Sequence, residues 1–288
     1  SETMMVQNLS MIADAFVNDA FACAHRSSPS IVGFTNVLPC VAGELMNYEL
    51  SKLGQALENP KRPCIAVLGG IKVDDSVVVA DNMLRGGISD HIWVTGGVAN
   101  LFLHLSGIDL GELNVNFLKN EIKEKWDETV AIASALLKDF PECIIMPSDV
   151  ALNITGNRVD HPLKDLPIEA PIFDLGITSI QSLSKAIKSA GTIILNGPAG
   201  VFEVSDFALG TIEMLNACAE SEGYAVMGGG HTATLVSQRG LTGKMGHVST
   251  GGGASLELLA GRTLPGLASL EESAKQFRFS ISKPLDHQ

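Results

Sequence analysis

The stretch "YAVMGGGHTATL", residues 224–235, consists of an apolar run, three glycines and a segment of helix-forming residues. This order is typical of a buried strand that turns tightly into a helix. Other short apolar runs occur at "CIAVL" (64–68), "HIWV" (91–94), "CIIM" (143–146) and "TIIL" (192–195), with a weaker one at "HVS" (247–249). Continuous apolar strands of this length predict a parallel sheet that is covered on both faces.

Helical patterns separate these runs. The clearest has apolar residues at helical spacing and predicts one helix through Leu118, Ile122, Trp126, Val130, Ala133 and Leu137. A second helix is predicted over residues 45–57. Strands that alternate with helices predict an α/β fold, a doubly wound parallel sheet with flanking helices. A (β/α)₈ barrel is disfavoured, because the chain has too few repeats.

The first segment is also predicted to be helical. Met5, Leu9, Ile12 and Phe16 recur at helical spacing and would form one apolar face. This helix begins without a capping residue or a start methionine. We therefore expect the sequence to begin partway along a longer chain.

Composition narrows the classes of partner. The net charge of −12 argues against nucleic acid, because no broad basic stripe exists to meet a phosphate backbone. No apolar stretch approaches the ~20 residues of a membrane span, and "SETMMVQNLS" lacks the features of a secretory signal. The five cysteines form no C-x-x-C pair, so we expect reduced thiols in a cytoplasmic protein.

Glycines follow most of the predicted strands. They occur in "LGG" (68–70), "TGG" (95–97), "NGPAG" (196–200), "GGGHT" (228–232) and "TGGG" (250–253). In an open parallel sheet the carboxyl ends of the strands share one edge, where ligands bind. Helices that begin at this edge offer free amide groups to an anion. The sequence therefore predicts an anion-binding edge, the alternative being a set of ordinary tight turns.

The two common nucleotide-binding motifs, the Walker A loop and the dinucleotide pattern, do not identify the ligand. No stretch supplies the Walker A pattern. "GGGHTA" fits G-x-G-x-x-A, the dinucleotide pattern, but the next predicted strand ends at Ser249–Thr250 without the acidic residue that binds the ribose. A nicotinamide-dependent dehydrogenase is therefore disfavoured.

Five stretches, in the same order along the chain, resemble phosphoglycerate kinase. They are "VNDAFACAHRSSPSIVGF" (17–34), "LGGIKVDD" (68–75), "NGPAGVFE" (196–203), "GGGHTATL" (228–235) and "HVSTGGGASLELLAG" (247–261). "GGGHT" is similar to the archaeal branch of the family. The resemblance implies two lobes, one binding 3-phosphoglycerate and the other the adenine nucleotide. It also implies a phosphotransferase of glycolysis and gluconeogenesis, which moves a phosphoryl group reversibly between 1,3-bisphosphoglycerate and ADP.

The resemblance also implies how the chain is divided. Residues 1–37 correspond to the end of the N-terminal lobe, 38–60 to the interdomain helix and linker, and 61–263 to the nucleotide lobe. Residues 264–288 would return toward the N-terminal lobe. Most of that lobe has no counterpart in this sequence, so we expect a chain that is inactive by itself and a poorly packed tail. A nucleotide-binding module without catalysis is the alternative that this leaves open.

Site residues follow from the resemblance, position by position. Lys72 would neutralise the transferring phosphoryl group, and Arg26 would bind the phosphoglycerate side of the reaction. Gly230 and Gly253 are the other catalytic positions, and Glu203 would hold the ribose. The remaining nucleotide-binding positions are Gly70, Gly96, Gly97, Asn196, Gly197, Pro198, Gly228, Gly229, His231 and Thr232.

Two positions depart from the pattern of many members of the family. Ser76 stands where those members have a second lysine, and His231 stands where they have an aspartate that binds magnesium. We therefore assign no protein metal ligand and expect Mg²⁺ to arrive with ATP or ADP, held largely by phosphates and water.

Overall fold

The computed structural model describes residues 3–277, without the side chain of His231. Within this range the helices are α1 (Met4–Ser10), α2 (Pro29–Val32), α3 (Glu44–Glu58), α4 (Val73–Arg85), α5 (Gly96–Leu105), α6 (Gly111–Ile122), α7 (Trp126–Asp139), α8 (Ile177–Ser189), α9 (Leu209–Glu220), α10 (Gly230–Gln238), α11 (Gly252–Leu259) and α12 (Pro265–Gln276). The strands are β1 (Phe16–Asn18), β2 (Cys40–Ala42), β3 (Cys64–Leu68), β4 (His91–Val94), β5 (Ile144–Ile145), β6 (Asp149–Ile154), β7 (Asn157–Pro162), β8 (Ile172–Leu175), β9 (Thr192–Asn196), β10 (Tyr224–Gly228) and β11 (His247–Val248).

A six-stranded parallel sheet has the order β11-β10-β9-β3-β4-β5. Its strands alternate between two cores: Cys64, Ala66 and Leu68 of β3 face one core, while Ile65 and Val67 face the other. Helices α3, α4, α5, α7 and α11 cover the first face, and α8, α9 and α10 cover the second. The doubly wound α/β fold predicted from the apolar runs is confirmed.

The register aligns the ends of the central strands. Leu68 of β3 and Gly228 of β10 both pair with Asn196 of β9, and Leu68 also pairs with Val94 of β4. The glycine loops that follow these strands therefore begin at the same level of the sheet, along one edge.

The prediction of one helix through residues 118–137 is wrong. The chain breaks at Lys123, whose φ of 54° and ψ of −125° end α6, and after one 3-10 turn α7 begins at Trp126. The apolar stripe itself is real, since Leu118, Ile122, Ala133 and Leu136 share one core. Two shorter helices divide the stripe, and both pack on that core.

The predicted first helix is also shorter than its apolar pattern. Helix α1 ends at Ser10, and it does have a cap, because the Thr3 hydroxyl accepts a hydrogen bond from the Val6 amide at 3.4 Å. Phe16 lies instead in β1, where its ring stacks on Phe34 with centroids 4.6 Å apart. Packing against β2 and Phe34 therefore overrides the helical spacing at this end.

A three-stranded antiparallel sheet, β7-β6-β8, was not predicted. Strand β6 is mostly buried and β7 is mostly polar, so neither shows the alternation of a half-buried strand. The turn between them, where Thr155 has φ 53° and Gly156 φ 91°, is the one local sign of a hairpin.

Helix α12 is packed at the N-terminal end of the chain. Ser273 accepts a hydrogen bond from the Cys40 amide at 2.9 Å, and Leu264 and Ser273 are fully buried. The expectation of a poorly packed tail is therefore wrong for residues 264–277, because α12 has its own partners in α2 and β2. Residues 278–288 lie outside the described range. Within that range no helix is both long and apolar enough to cross a membrane.

Candidate functional site

A cavity of about 700 Å³ opens at the carboxyl edge of the parallel sheet. Most of the residues predicted from the sequence line it: Gly70, Lys72, Gly96, Gly97, Asn196, Gly197, Pro198, Glu203, Gly229, Gly230, Thr232 and Gly253. Gly228 ends β10, and Arg26 is outside the cavity lining. The side chain of His231 lies outside the described part of the chain, although its backbone belongs to the first turn of α10.

Backbone contacts hold the loops after β3, β4 and β9 together. The Gly70 amide donates to the Pro198 carbonyl at 2.8 Å, and the Gly97 amide donates to the Gly70 carbonyl at 3.0 Å. A Cβ on Gly97 would lie 2.9 Å from the Gly70 oxygen, and one on Gly197 would lie 2.3 Å from the Gly69 oxygen. Packing of the loops against one another therefore requires these two glycines, independently of any ligand.

The loop after β10 differs, because its glycines border open space. Gly229 has a φ of +100°, and a Cβ placed there would meet nothing closer than Asn196 Oδ1 at 3.7 Å. A Cβ on Gly230 would meet nothing within 4 Å. The protein itself leaves room beside this loop, so a ligand can approach its backbone.

Unpartnered polar groups face the same end of the cavity. Thr232 is 1% exposed, and its buried Oγ1 has no hydrogen-bond partner within the described residues. Asn196 is also buried, and its side-chain amide makes no hydrogen bond in that range. A buried hydroxyl in the first turn of a helix, with free amides beside it, suits an anionic group that accepts hydrogen bonds.

Lys72 supplies positive charge at the mouth of the cavity. It is exposed at the start of α4, and in the described structure it forms no hydrogen bond or ion pair, so its ammonium group is free to reach a ligand. Ser76, one turn later, is fully buried, and its hydroxyl is unpartnered among the described residues. Ser76 therefore does not replace the charge of the second lysine that many family members carry there.

Arg26 lies in the segment between β1 and α2, which contacts the loop that begins α11. Its side chain is exposed and has no hydrogen bond or ion pair in residues 3–277. Its neighbour His25 packs on that loop, since a Cβ on Gly253 would lie 3.0 Å from the imidazole ring. Gly253 therefore lies between His25 and the cavity.

The other half of the cavity is an apolar slot that sequence reasoning missed. Leu113 and Phe117, on one face of α6, are 47% and 45% exposed, and the opposite wall is formed by residues 171–173. Exposed apolar residues one turn apart and off the buried stripe of α6 were the available sign. Two apolar walls suit a flat ring system.

Asp174 lies beside the slot but is occupied by structural contacts. Its carboxylate accepts from Arg158 Nη1 at 2.7 Å and from the Gly210 amide at 2.8 Å. Burial raises the pKa of Asp174 although Arg158 opposes the shift. Glu203, by contrast, is exposed at the cavity and makes no side-chain contact of this kind in the described range.

A buried carboxylate, also missed, ties α3 to the loop that precedes α11. Glu49 has no exposed side-chain surface and bonds His247 Nε2 at 2.7 Å, and it accepts from the amide and hydroxyl of Thr250 at 2.7 and 2.6 Å. Burial acts to raise the pKa of Glu49, but these hydrogen bonds outweigh it and hold the pKa below its usual value. Glu49 thereby fixes one rim of the cavity.

The fold and the site define the class of protein. It is an α/β protein with a cavity at the edge of its parallel sheet, and this cavity has glycine loops suited to an anion at one end and an apolar slot at the other. A model of the phosphoglycerate kinase family matches residues 1–262. This chain belongs to the phosphoglycerate kinase family, and the resemblance stated from the sequence, including its archaeal character, is confirmed.

Individual relatives agree with this assignment. The phosphoglycerate kinases of Methanothermobacter thermautotrophicus and Methanobacterium bryantii are 46% and 47% identical, over 95% and 94% of this chain. The crystal structure of the enzyme from Pyrococcus horikoshii OT3 superposes with a TM-score of 0.87 at 40% identity, covering 96% of this chain and 68% of that one. The chain spans 66% of the length of the two curated relatives.

The contacts of Glu49 predict that the protein loses much of its stability when the charge of this carboxylate is removed. Glu49→Gln should lower the free energy of unfolding by about 3 kcal/mol at pH 7, because it breaks a buried hydrogen-bonded pair. Urea denaturation measures this, and Glu44→Gln, at an exposed position in the first turn of the same helix, should change stability by less than about 1 kcal/mol.

The same contacts set a pH dependence. Because the folded pKa of Glu49 is lowered, its contribution is present above the unfolded value of about 4.3 and is lost as the pH falls through the folded pKa. The native chain and Glu49→Gln should therefore converge in stability in acid. An equal difference at pH 7 and below pH ~3 would contradict this account.

Proposed function

We propose that this chain provides the nucleotide-binding part of a phosphoglycerate kinase. In that reaction a phosphoryl group passes between 1,3-bisphosphoglycerate and ADP to give 3-phosphoglycerate and ATP. The observation that carries the proposal is the two-ended cavity, which has unpartnered donors and Lys72 at one end and an apolar slot at the other. A nucleotide has two matching ends, because a charged phosphate chain is joined through the ribose to a flat base.

The proposed orientation follows from the two ends. The phosphates lie against residues 229–232 and 196–198, where the Thr232 hydroxyl and the amides of α10 donate to them. The base lies between Leu113, Phe117 and the wall at 171–173. Glu203, exposed at the cavity, accepts from the ribose hydroxyls. Lys72 and Gly230 act at the transferring phosphoryl group, where positive charge and amides stabilise the equatorial oxygens.

The remaining proposed roles concern the second substrate. Gly253 offers its amide at the start of α11, and Arg26 binds the phosphoglycerate side through its guanidinium. Arg26 is supported in this role by its exposure and by the absence of a competing partner in the described residues.

Magnesium is proposed to bind with the nucleotide. Among the described residues no group of three or more His, Cys, Asp or Glu side chains could hold a metal ion. Neutral oxygens that Mg²⁺ accepts are nonetheless at hand in Thr232 and Asn196, and phosphate oxygens and water can complete an octahedral shell. Bound there, the ion would neutralise charge on the transferring phosphate.

A further lobe is proposed to complete the site. Apolar side chains are exposed on α1, the loop that follows it, β1, β2 and α3: Met4, Met5, Leu9, Met11, Ile12, Val17, Val41, Leu45 and Tyr48. A set of this size supports an interface that another lobe covers. The division at 1–37, 38–60, 61–263 and 264–288 belongs to this proposal, and so does a cytoplasmic location, where the five free cysteines would stay reduced.

Calorimetric titration tests the nucleotide assignment. The chain should bind ADP or ATP in the presence of Mg²⁺ and should not bind NADH. NADH binding without ADP binding would reverse the assignment in favour of a dehydrogenase.

The loop after β10 gives a sharper test. Gly229→Ala should weaken ADP about tenfold or more and leave adenosine nearly unchanged, because the strained φ displaces amides that donate to the phosphates. Gly240→Ala is the matched control, since Gly240 also has a positive φ, +67°, with nothing near its Cβ, but lies outside the cavity. Unchanged ADP affinity in a folded Gly229→Ala protein would reduce the loop to a tight turn.

Catalysis should need more than this chain. Holding two substrates in line is worth ~7–11 kcal/mol, and here Arg26 and the Gly253 amide are the groups proposed for the phosphoglycerate side. A coupled assay with 3-phosphoglycerate and ATP should show negligible turnover until a chain carrying the remaining lobe is added. Turnover of ~1–100 s⁻¹ by this chain alone would mean that it already holds a complete site.

A further inference from the structure

Asn114 joins the two walls of the apolar slot. It lies on α6, is 5% exposed, and belongs to the cavity lining between Leu113 and Phe117. Its Oδ1 accepts from the Ile172 amide at 2.9 Å, and its Nδ2 donates to the carbonyls of Leu110 at 2.8 Å and Ala170 at 3.1 Å. Two of these three bonds cross from α6 to the opposite wall.

The pattern of donors and acceptors allows only one orientation of this amide. Oδ1 faces an N–H group, and Nδ2 faces two carbonyl oxygens, so exchanging the two atoms would break all three hydrogen bonds. Both Nδ2 hydrogens are thus used by the protein, and the side chain keeps no free N–H to donate to a ligand. The three hydrogen bonds instead connect the two walls of the slot.

Each wall has a different mechanical support. The 170–172 segment continues into β8, which pairs with β6, and the Asn153 amide donates to the Pro171 carbonyl at 2.9 Å. Helix α6 buries only Asn114, Leu118 and Ile122, and it ends at the strained Lys123. Within the described residues, hydrogen bonds from α6 to residues 170–172 come from Asn114 alone. In the described structure, Asn114 is therefore the direct hydrogen-bonded link between the two walls.

We infer that Asn114 is a positioning residue that sets the width of the slot. A flat ring gains contact on both faces only when the gap matches its thickness, and a misfit of ~0.5–1 Å already forfeits a quarter to a half of the dispersion attraction. The inference rests on the proposed function, since it takes the slot to hold the base of the nucleotide.

Asn114→Leu tests the inference, because it keeps the approximate volume but removes all three hydrogen bonds. Binding of ADP, adenosine and inorganic pyrophosphate to the whole chain is measured by calorimetry. ADP and adenosine should weaken by about tenfold, while pyrophosphate, which has no base, should change by less than about twofold. Asn216→Leu is the control: it is the same replacement on α9, where the amide donates to Glu213 at 3.2 Å away from the cavity. It should leave all three affinities unchanged.

Asn114→Ser covers the case in which the leucine variant does not fold. The short serine side chain cannot reach Ala170 and Ile172. This variant should therefore also bind ADP and adenosine more weakly, while its affinity for pyrophosphate stays nearly unchanged. Equal weakening of adenosine and pyrophosphate, or no weakening of either in a folded variant, would overturn the positioning role. Failure of the unaltered chain to bind ADP would instead overturn the proposed function, so the two failures are distinguishable.

Discussion

Direct contact between backbones at one edge of the sheet is the constraint on which the site depends. The loops after β3, β4 and β9 donate and accept hydrogen bonds among themselves, from Gly69 to Asn196, from Gly70 to Pro198 and from Gly97 to Gly70. Such contacts leave no space for side chains at Gly97 or Gly197. These loops form one floor of the cavity, and the loop after β10 leaves open space beside its glycines.

Buried charges fix the periphery of this floor. Glu49 ties the loop before α11 to α3, and Asp174 connects β8 to Arg158 and to the start of α9. Both carboxylates are satisfied by several donors, which is the condition under which a buried charge stabilises rather than disrupts a fold. Two cations, Lys72 and Arg26, are left without an ion pair in the described residues, although the whole chain carries a net charge of −12. Affinity for an anion is thus a local property here, independent of the overall charge.

The two halves of the cavity come from different parts of the architecture. Parallel strands and the helices that follow them supply amides and a hydroxyl, as their geometry requires at every strand end. The apolar slot comes from α6 and the antiparallel sheet, which are additions to the parallel core. Asn114 connects these additions to each other, because its buried amide bonds residues on both sides of the apolar slot.

The sequence by itself determined the parallel core, the edge that carries the site and the family. Strands such as 64–68 and 91–94 are apolar on both faces, and glycines follow them, so local pattern and tertiary role agree. It did not determine the break at Lys123, the end of α1 or the hairpin of β6 and β7. There, packing against distant residues such as Phe34 overrides the local spacing. Only the tertiary structure revealed Glu49, Asp174 and Asn114, because Thr250, Arg158 and Ile172, the partners that define their roles, lie 201, 16 and 58 positions away in sequence. No local pattern marks a residue for a contact at that distance.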